Sequence, residues 1–506
     1  MGAEYAKSAM HPVKKILIAN RGEIAVRVAR TCRELGIRTV AVFSDPDSAS
    51  PHVRLCDEAF RIGPAPSRDS YLRADVIVEL ARKCGADAVH PGYGFLSENP
   101  AFAEALIGEG VLWIGPPASA IRSMGDKTAA RSIMQRAGVP VVPGTIAPVE
   151  NAEEARKAAT EIGFPILLKA AAGGGGKGMR VVHTAEDLPR ALSAARGEAR
   201  SSFGDDRVFI EKLIRHPRHI EFQILADSHG HCIHLFEREC SIQRRHQKVI
   251  EEAPSPAMTE SLREAMGQAA VAAAQSCGYV NAGTVEFLVD DERNFYFMEM
   301  NTRLQVEHPV TEWITGLDLV AEQIRIARGE ALGYDQQDVR RNGHAIECRI
   351  YAEDPANDFL PDPGILSRHR VPSGPGIRVD SGVDEGGRVE IHYDPMISKL
   401  TVWASSRAEA VRRMERALKE YEIGGVRTTI PFCSFVMGTE AFRCGDISTH
   451  FIENHFQPGK LPGPNSNEHL ALALAAALAS EDGGNPEEPS TDRPHPSRWL
   501  QRRELH

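Results

Sequence analysis

Apolar residues recur along this chain in two rhythms, and their order predicts the architecture. Lys15 to Ala19 is a continuous apolar run, as expected of a buried strand. Asn20-Arg21-Gly22-Glu23 turns it into Ile24 to Leu35, where apolar residues fall at helical spacing until Gly36 ends the helix. Thr39 to Phe43 reads as strand, Asp75 to Lys83 as helix and Ala86 to Val89 as strand. This alternation predicts a parallel, doubly wound α/β domain over residues 1–115. Its first turn lacks GxGxxG, so a dinucleotide site is not supported. The loop His90 to Phe95 follows a strand's carboxyl end, where such sheets bind ligands; it reads equally well as a glycine-rich connection.

Residues 117 to 140 read as helical, with Gly125-Asp126-Lys127 capping a helix that begins near Thr128. Lysine is unfavourable at a helix's positive end, so Lys127 is either solvated or placed for an anion. Lys169 closes the apolar strand Ile166-Leu167-Leu168, an expensive position without an anionic partner. The run that follows contains Gly173, Gly174, Gly175, Gly176, Lys177 and Gly178. A Rossmann turn would open a helix next, but Met179 to Val182 reads as strand; a Walker loop needs Ser or Thr after Lys177, and Gly178 stands there. Strand–glycines–strand predicts a hairpin flap whose backbone N–H groups can fold over phosphates.

Ala185 to Arg200 is an amphipathic helix, and Arg207 to Leu213 a strand. It runs into Glu211-Lys212-Leu213-Ile214, a link that can offer backbone groups and an apolar face to an adenine ring. His219 to Ala226 and His231 to Phe236 predict a hairpin. Ser241 to Lys248 is polar and basic, too dense for a core, and otherwise a solvated edge. Thr259 to Cys277 predicts a long helix.

The stretch Glu286 to Pro309 is the most informative. Glu286 to Val289 and Asn294 to Met300 read as two strands around a polar turn, which would bring Glu286 and Glu299 together at roughly 5 Å between β-carbons. Opposed carboxylates destabilise a hairpin unless a cation lies between them; a hard dication supplies one, and Asn301 could add a neutral oxygen. Arg303, Gln305, Glu307 and His308 follow with no apolar stripe to explain them. The bland alternative is a hairpin with a solvated face.

Asp318 to Arg328 reads as helix. His344 to Tyr351 alternates, with Glu347 and Arg349 on one face and Ile346, Cys348 and Ile350 on the other, so a mixed β region begins near 335. It passes through Gly/Pro-rich turns to Val402 and the helix Arg407 to Glu420; the end of the chain, rich in Pro, Glu and Ser, is expected to be disordered.

With 506 residues the chain is too long for one core, and a net charge of −10 disfavours nucleic acid as its main partner. Nine cysteines without CxxC spacing fit a reducing compartment better than disulfides or zinc. The N-terminus has no apolar core of signal-peptide length, and the longest apolar run, around Leu470 to Ala479, is too short to span a bilayer, so a cytoplasmic enzyme without a membrane partner is expected.

Taken together, KKILIANRGEIAVRVAR, HPGYGFLSEN, MGDK, GGGGKGMRVV, EKLIRHPRHIEFQ, SIQRRHQKVIEEAP, EFLVDDERNFYFMEMNTRLQVEHPVTE, HAIECRIYAEDP and HYDPMISKL resemble biotin carboxylase, the ATP-grasp component of biotin-dependent carboxylases, from about Lys14 to Pro458. The resemblance implies an ATP-grasp domain over 116–334 with a mobile lid at about 140–215, a C-terminal domain over 335–458, and a helical then disordered tail over 459–506. It implies that Lys127, Lys169, Gly175 and Gly176 hold ATP phosphates, and that Glu211, Lys212, Leu213 and Ile214 meet the adenine. His219, Gln243 and His246 would lie near the ribose and phosphates. Glu286, Glu299 and Asn301 would ligate Mg2+ or Mn2+; Lys248, Arg303, Gln305 and Val306 would bind bicarbonate. Glu307 would be the general base, Arg349 would stabilise the biotin oxyanion, and Tyr93 and Asp394 would line the biotin side.

The implied activity is carboxylation of biotin by ATP and bicarbonate, the first half-reaction of an acetyl-CoA or other acyl-CoA carboxylase. No lysine stands in an Ala-Met-Lys-Met-type context and little chain follows Pro458. A separate biotin carboxyl carrier protein and separate carboxyltransferase subunits are therefore expected, with a homodimer suggested by the family. Thr428 to Phe432 and Ser497 to Trp499 look more like acetyl- or propionyl-CoA carboxylase relatives than pyruvate carboxylase. A carboxylate–amine ligase of the same fold is the competing reading; it has no need of Arg303 to Pro309 together with Arg349.

Overall fold

Strand β1 (Lys15–Ile18) is buried in the middle of a parallel sheet because its apolar run faces helices on both sides. β2 (Arg38–Ser44), β3 (Glu58–Gly63), β4 (Ala88–His90) and β5 (Leu112–Trp113) complete the order β3-β2-β1-β4-β5. The first helix, Gly22–Glu34, turns Ile24, Val28 and Cys32 inward, as its spacing predicts. The computed structural model describes residues 11–145, 147–170, 179–461 and Leu474. Gly175, Gly176 and nearly all of the tail over 459–506 lie outside the described residues. The chain divides into two units, Met1–Gly459 and Lys460–His506, and the account below concerns the first.

The helical stretch expected over 117–140 is two helices, Ala118–Gly125 and Lys127–Arg136. Asp126 breaks them because its carboxylate caps the second, accepting the N–H groups of Thr128 and Ala129 at 2.9 Å each. Lys127 becomes the first helical residue, exposed. Next comes a small antiparallel sheet: β6 (Ile166–Ala170) between β7 (Met179–Val182) and β8 (Val208–Lys212). The helices Ala152–Ile162 and Leu188–Phe203 cover it, and Ile166, Leu168, Val182, Ala195 and Ile210 form a core of its own. β6 and β7 pair up to Lys169 and Met179, so the glycine run joins two hydrogen-bonded strands, as the flap reading requires.

An eight-stranded sheet carries the rest. Its members are β9 (Arg218–Ala226), β10 (Cys232–Arg244), β11 (Gln247–Ala253), β12 (Asn281–Val289), β13 (Phe295–Asn301) and β14 (His344–Tyr351). Past the short β15 (Glu353–Asp354), β16 (Leu360–Pro361) and β17 (Arg368–Arg370) come two more, β18 (Ile377–Ser381) and β19 (Met396–Ala404). The order is β13-β12-β9-β10-β11-β14-β19-β18, so one sheet runs across residue 335 without a break. Ser241 to Lys248, read as a polar, basic cluster or a solvated edge, is the end of β10 and the start of β11; Arg245 and His246, both at positive φ, make the turn. The helix Glu260–Ser276 lays Met266, Ala270 and Ala273 on the face that carries Phe222, Ile224 and Phe287. Glu221 and Gln223 point the other way, as alternation demands, yet both are fully buried, beneath the layer that contains the helix His308–Thr315.

Candidate functional site

Glu286 of β12 and Glu299 of β13 are direct cross-strand partners and share a face, with a register shift just after Glu286. Glu286 is buried. Its Oε1 accepts from Asn301 Nδ2 at 2.7 Å, Lys248 Nζ at 2.8 Å and Gln305 Nε2 at 3.1 Å, and its Oε2 lies 2.8 Å from His219 Nε2. Burial alone would raise the Glu286 carboxyl; Lys248 and His219 overcome it and hold it far below the usual range. Glu299 is exposed and has no ion-pair partner among the described residues; desolvation by its surroundings and the Glu286 charge push its pKa up, with His219, Lys248 and Lys127 acting in the opposite direction.

Lys248, on the buried side of the β10–β11 hairpin, gathers the centre. Its Nζ lies 2.5 Å from Glu221 Oε2, 2.8 Å from Glu286 Oε1 and 2.7 Å from Glu307 Oε1. The other Glu307 oxygen, Oε2, accepts from Arg349 at 2.9 Å. Burial would raise Glu307 as well, but Lys248, Arg349 and Arg238 hold it well below the ordinary carboxylate value, so it is ionised. Against the opposite pull of burial, Glu221, Glu286 and Glu307 raise Lys248, and Glu251 and Glu307 raise Arg349, so both cations stay charged. Arg303 closes the loop side. Its guanidinium donates to Glu98 Oε2 and Gln305 Oε1 at 3.0 Å each and to Asn301 Oδ1 at 3.1 Å. The Val306 carbonyl accepts Lys399 Nζ at 2.8 Å.

Along the adjoining lobe, Glu211 joins Lys169 and Arg131, the latter at 2.9 Å, and Lys212 Nζ donates to the Gly163 carbonyl at 2.9 Å. Leu213 and Ile214 follow, half-buried. Gln243 Nε2 meets His219 Nδ1 at 2.7 Å, whereas His246 is exposed in the turn and makes no contact with the acidic centre. On the opposite flank the Tyr93 hydroxyl donates to Glu23, and both Tyr93 and Asp394 lie in the field of Arg349.

Glu286, Glu299 and Asn301 are oxygen donors, the set a hard divalent ion takes. Asn301 turns its Nδ2 toward Glu286; a half-turn of the amide would present its oxygen instead. Glu299, raised by a neighbouring negative charge and without an ion-pair partner among the described residues, is the carboxylate that a cation would relieve. The residues therefore fit the ion.

Several central residues escaped the sequence reading: Glu221, Arg238, Glu251, Glu98 and Lys399. Arg238, fully buried, donates to Glu221 and, at 2.8 to 3.0 Å, to Gln223, Thr311 and Thr284. Its signal was available as Glu237-Arg238-Glu239 inside a run continuous with an apolar strand. Glu221 also lies within ligand reach of His219 and Glu286, but its two oxygens already serve Arg238 and Lys248.

With this geometry in place, residues 12–121 match the model of the biotin carboxylase N-terminal domain, and residues 347–454 that of the biotin carboxylase C-terminal domain. Between them, residues 126–334 match the ATP binding domain of the carbamoyl-phosphate synthase L chain. This chain belongs to the biotin carboxylase family. It is 57% identical over 442 residues to a pyruvate carboxylase subunit of Methanothermobacter thermautotrophicus, covering 87% of this chain and 90% of that one. It is 54% identical over 444 residues to biotin carboxylase of Halalkalibacterium halodurans, covering 88% and 98%. Among solved structures, the biotin carboxylase domain dimer of Hydrogenobacter thermophilus 2-oxoglutarate carboxylase, in complex with MgADP, ADP and bicarbonate, superposes with a TM-score of 0.83 at 50% identity, covering 90% of this chain and all of that one. As a biotin carboxylase the chain is an ATP-dependent ligase that carboxylates biotin. No helix among the described residues is long and apolar enough to cross a membrane.

Proposed function

We propose that the Lys248–Glu307–Arg349 chain joins two half-sites, one that activates bicarbonate with ATP and one that presents biotin to the product. The observation that carries this is the division of Glu307: one oxygen on Lys248, which also touches Glu286, and the other on Arg349. ATP phosphates are held by Lys127, Lys169 and the Gly175–Gly176 flap, and the adenine by Glu211 to Ile214 with His219, Gln243 and His246 toward the ribose and phosphates. Glu286, Glu299 and Asn301 hold Mg2+ or Mn2+, which when bound neutralises phosphate charge. Bicarbonate lies against Arg303, Gln305, the Val306 backbone and Lys248. Glu307 takes its proton, the freed oxygen bonds to the γ-phosphorus, and the bond to ADP breaks, leaving carboxyphosphate. The flap excludes water from that labile product. Carboxyphosphate then gives CO2 and phosphate; the phosphate accepts the biotin N–H proton, and the nitrogen bonds to CO2. Arg349 stabilises the oxyanion that develops on the ureido oxygen, and Tyr93 and Asp394 line that side.

The biotin is carried by a separate carrier protein and passed to separate carboxyltransferase subunits, in a cytoplasmic assembly built on a homodimer. The dimeric solved neighbour supports the last point. The final acceptor is an acyl-CoA on the reading of Thr428 to Phe432, although the relatives named above include carboxylases of pyruvate and 2-oxoglutarate. The test is ATP hydrolysis with bicarbonate, with and without free biotin. Stimulation by biotin that Arg349→Ala abolishes is expected; no stimulation in the wild type overturns the reading.

A further inference from the structure

Glu251 of β11 and Glu347 of β14 stand directly opposite one another in the central sheet, and both are wholly buried. Glu251 Oε1 accepts Arg349 Nε at 2.6 Å, and Glu347 Oε2 accepts the Thr401 hydroxyl at 2.8 Å. The remaining oxygens, Glu251 Oε2 and Glu347 Oε1, have no hydrogen-bond partner among the described residues. Cross-strand partners share a face with β-carbons about 5 Å apart, near enough for two carboxyl groups to meet. Two charged carboxylates at that range, without water between them, repel strongly.

The surrounding cations relieve the repulsion only in part, because each is also engaged elsewhere. On β14, Arg349 is divided between Glu251 and Glu307. On β19, Lys399 holds the Val306 carbonyl at 2.8 Å and Glu23 of the first helix at 3.1 Å. On β18, Arg378 pairs with Asp380 and Glu312. On β11 itself, Lys248 serves Glu221, Glu286 and Glu307. Cys240 of β10 and His308 add no positive charge: burial raises the thiol well above its usual value and lowers the imidazole well below its own. Among the described residues no cation lies at ion-pair distance from Glu347.

We propose that Glu251 and Glu347 share a single proton, as a carboxyl–carboxylate pair, and that this proton sets the position of the Arg349 guanidinium beneath the biotin oxyanion. The idea rests on the assignment of Arg349 made above. The shared proton supplies both orphaned oxygens with a partner in one hydrogen bond. It also leaves one negative charge, not two, behind Arg349, so the guanidinium remains balanced between Glu251 and Glu307. When the proton leaves, the second charge draws Arg349 toward the pair and away from biotin. Glu347 touches no reacting atom and is a positioning residue.

The electrostatics of the pair agree with its geometry. Burial pushes Glu251 up to about 7 against the opposing pull of Arg349, and burial pushes Glu347 up to about 8 against Lys399, with the Glu251 charge adding to the rise. Because these values lie above the ordinary 4.5, the folded state keeps the proton longer than the unfolded chain does. The stabilisation is complete below pH 4.5 and is lost as pH rises through 7 to 8.

The test needs no ligand to begin. Infrared titration of the wild-type enzyme should show a protonated-carboxyl C=O band at pH 7 that fades as pH rises through about 8, and Glu347→Gln, whose amide is a permanent donor, should lack it. The pair's contribution to the unfolding temperature, read as the difference between wild type and Glu347→Gln, should fall as pH rises from about 4.5 to about 8 and level off above. Biotin-dependent turnover of Glu347→Gln should stay within about threefold of wild type at pH 7, while the alkaline loss of activity moves up by about one pH unit or more; Glu347→Leu should raise the KM for biotin roughly tenfold. A wild-type-minus-Glu347→Gln difference spectrum without such a band at pH 7 overturns the shared proton. An unmoved alkaline limb in Glu347→Gln overturns the positioning role. Arg349→Ala that keeps its response to biotin would refute the assignment of Arg349 instead, leaving the infrared result to stand or fall separately.

Discussion

Lys248 Nζ lies 2.7 Å from Glu307 Oε1. That contact keeps the carboxylate ionised and makes it a weak base until the ammonium's attention is divided. An anion beside Lys248 would loosen the grip, which ties the basicity of Glu307 to the presence of bicarbonate. Glu307→Gln is expected to lower biotin-dependent ATP turnover by about 10³-fold or more, consistent with loss of a general base. Nucleotide affinity by calorimetry should change little, because no ATP contact is removed.

Removing Lys248 has a different signature. Lys248→Met leaves Glu221, Glu286 and Glu307 facing one another in a buried site. Loss of about 3–5 kcal/mol is expected in denaturant unfolding, beyond any effect on turnover. The conservative Lys248→Arg should recover stability more than activity, since a planar fork cannot meet three carboxylates from one point.

Arg238 offers a stability test remote from the reacting atoms. It is fully buried and serves Glu221, Gln223, Thr284 and Thr311 at once. Arg238→Met should cost about 3–5 kcal/mol in chemical denaturation, because it strands a buried carboxylate and three polar groups.

Chelation bears on the acidic hairpin. Adding EDTA should abolish ATP hydrolysis, and Glu299→Gln should raise the Mg2+ concentration needed for half-maximal turnover about tenfold or more. The same variant should not lower the unfolding temperature of the metal-free enzyme, since it removes a carboxylate raised by its Glu286 neighbour.

Acid sensitivity is expected from three imidazoles. Burial holds His52, His90 and His234 down to about 4 each. With folded values below the unfolded 6.5, the unfolded chain binds these protons first. The contribution of these three to stability should therefore be complete above pH 6.5 and be lost progressively toward pH 4, measured as the denaturant midpoint against pH. His90→Asn should flatten part of that decline, since its Nδ1 accepts the Gly92 N–H at 3.0 Å and its Nε2 meets Gln323 at 3.2 Å, roles an amide can share.

The regular parts of the fold were legible where one face of an element meets an apolar core. The helix Arg407–Glu420 was read to the residue, and Gly22–Glu34 to within two. The Glu286–Glu299 pairing followed from counting across a short polar turn. What stayed hidden has one physical cause. In β9, Glu221 and Gln223 alternate with Ile220, Phe222 and Ile224, and alternation alone does not tell a solvent face from a covered one; they are buried against charges from distant strands. The same holds for Ser241 to Lys248, whose polarity belongs to a strand pair and not to an edge. Alternation reports which residues share a side, and it is silent on what covers that side.

The unbroken ladder from β11 to β14 has a further consequence. Glu307 and Lys248 stand on one side of residue 335 and Arg349 on the other, yet they are stitched by the register Ile250↔Cys348 and Glu251↔Glu347. Grafting the C-terminal third of a distant relative onto this chain would thus transplant a seam as well as a substrate preference. Junctions placed at the two ends of the small β6–β8 lobe, which owns its core, should be the more forgiving places to build hybrids.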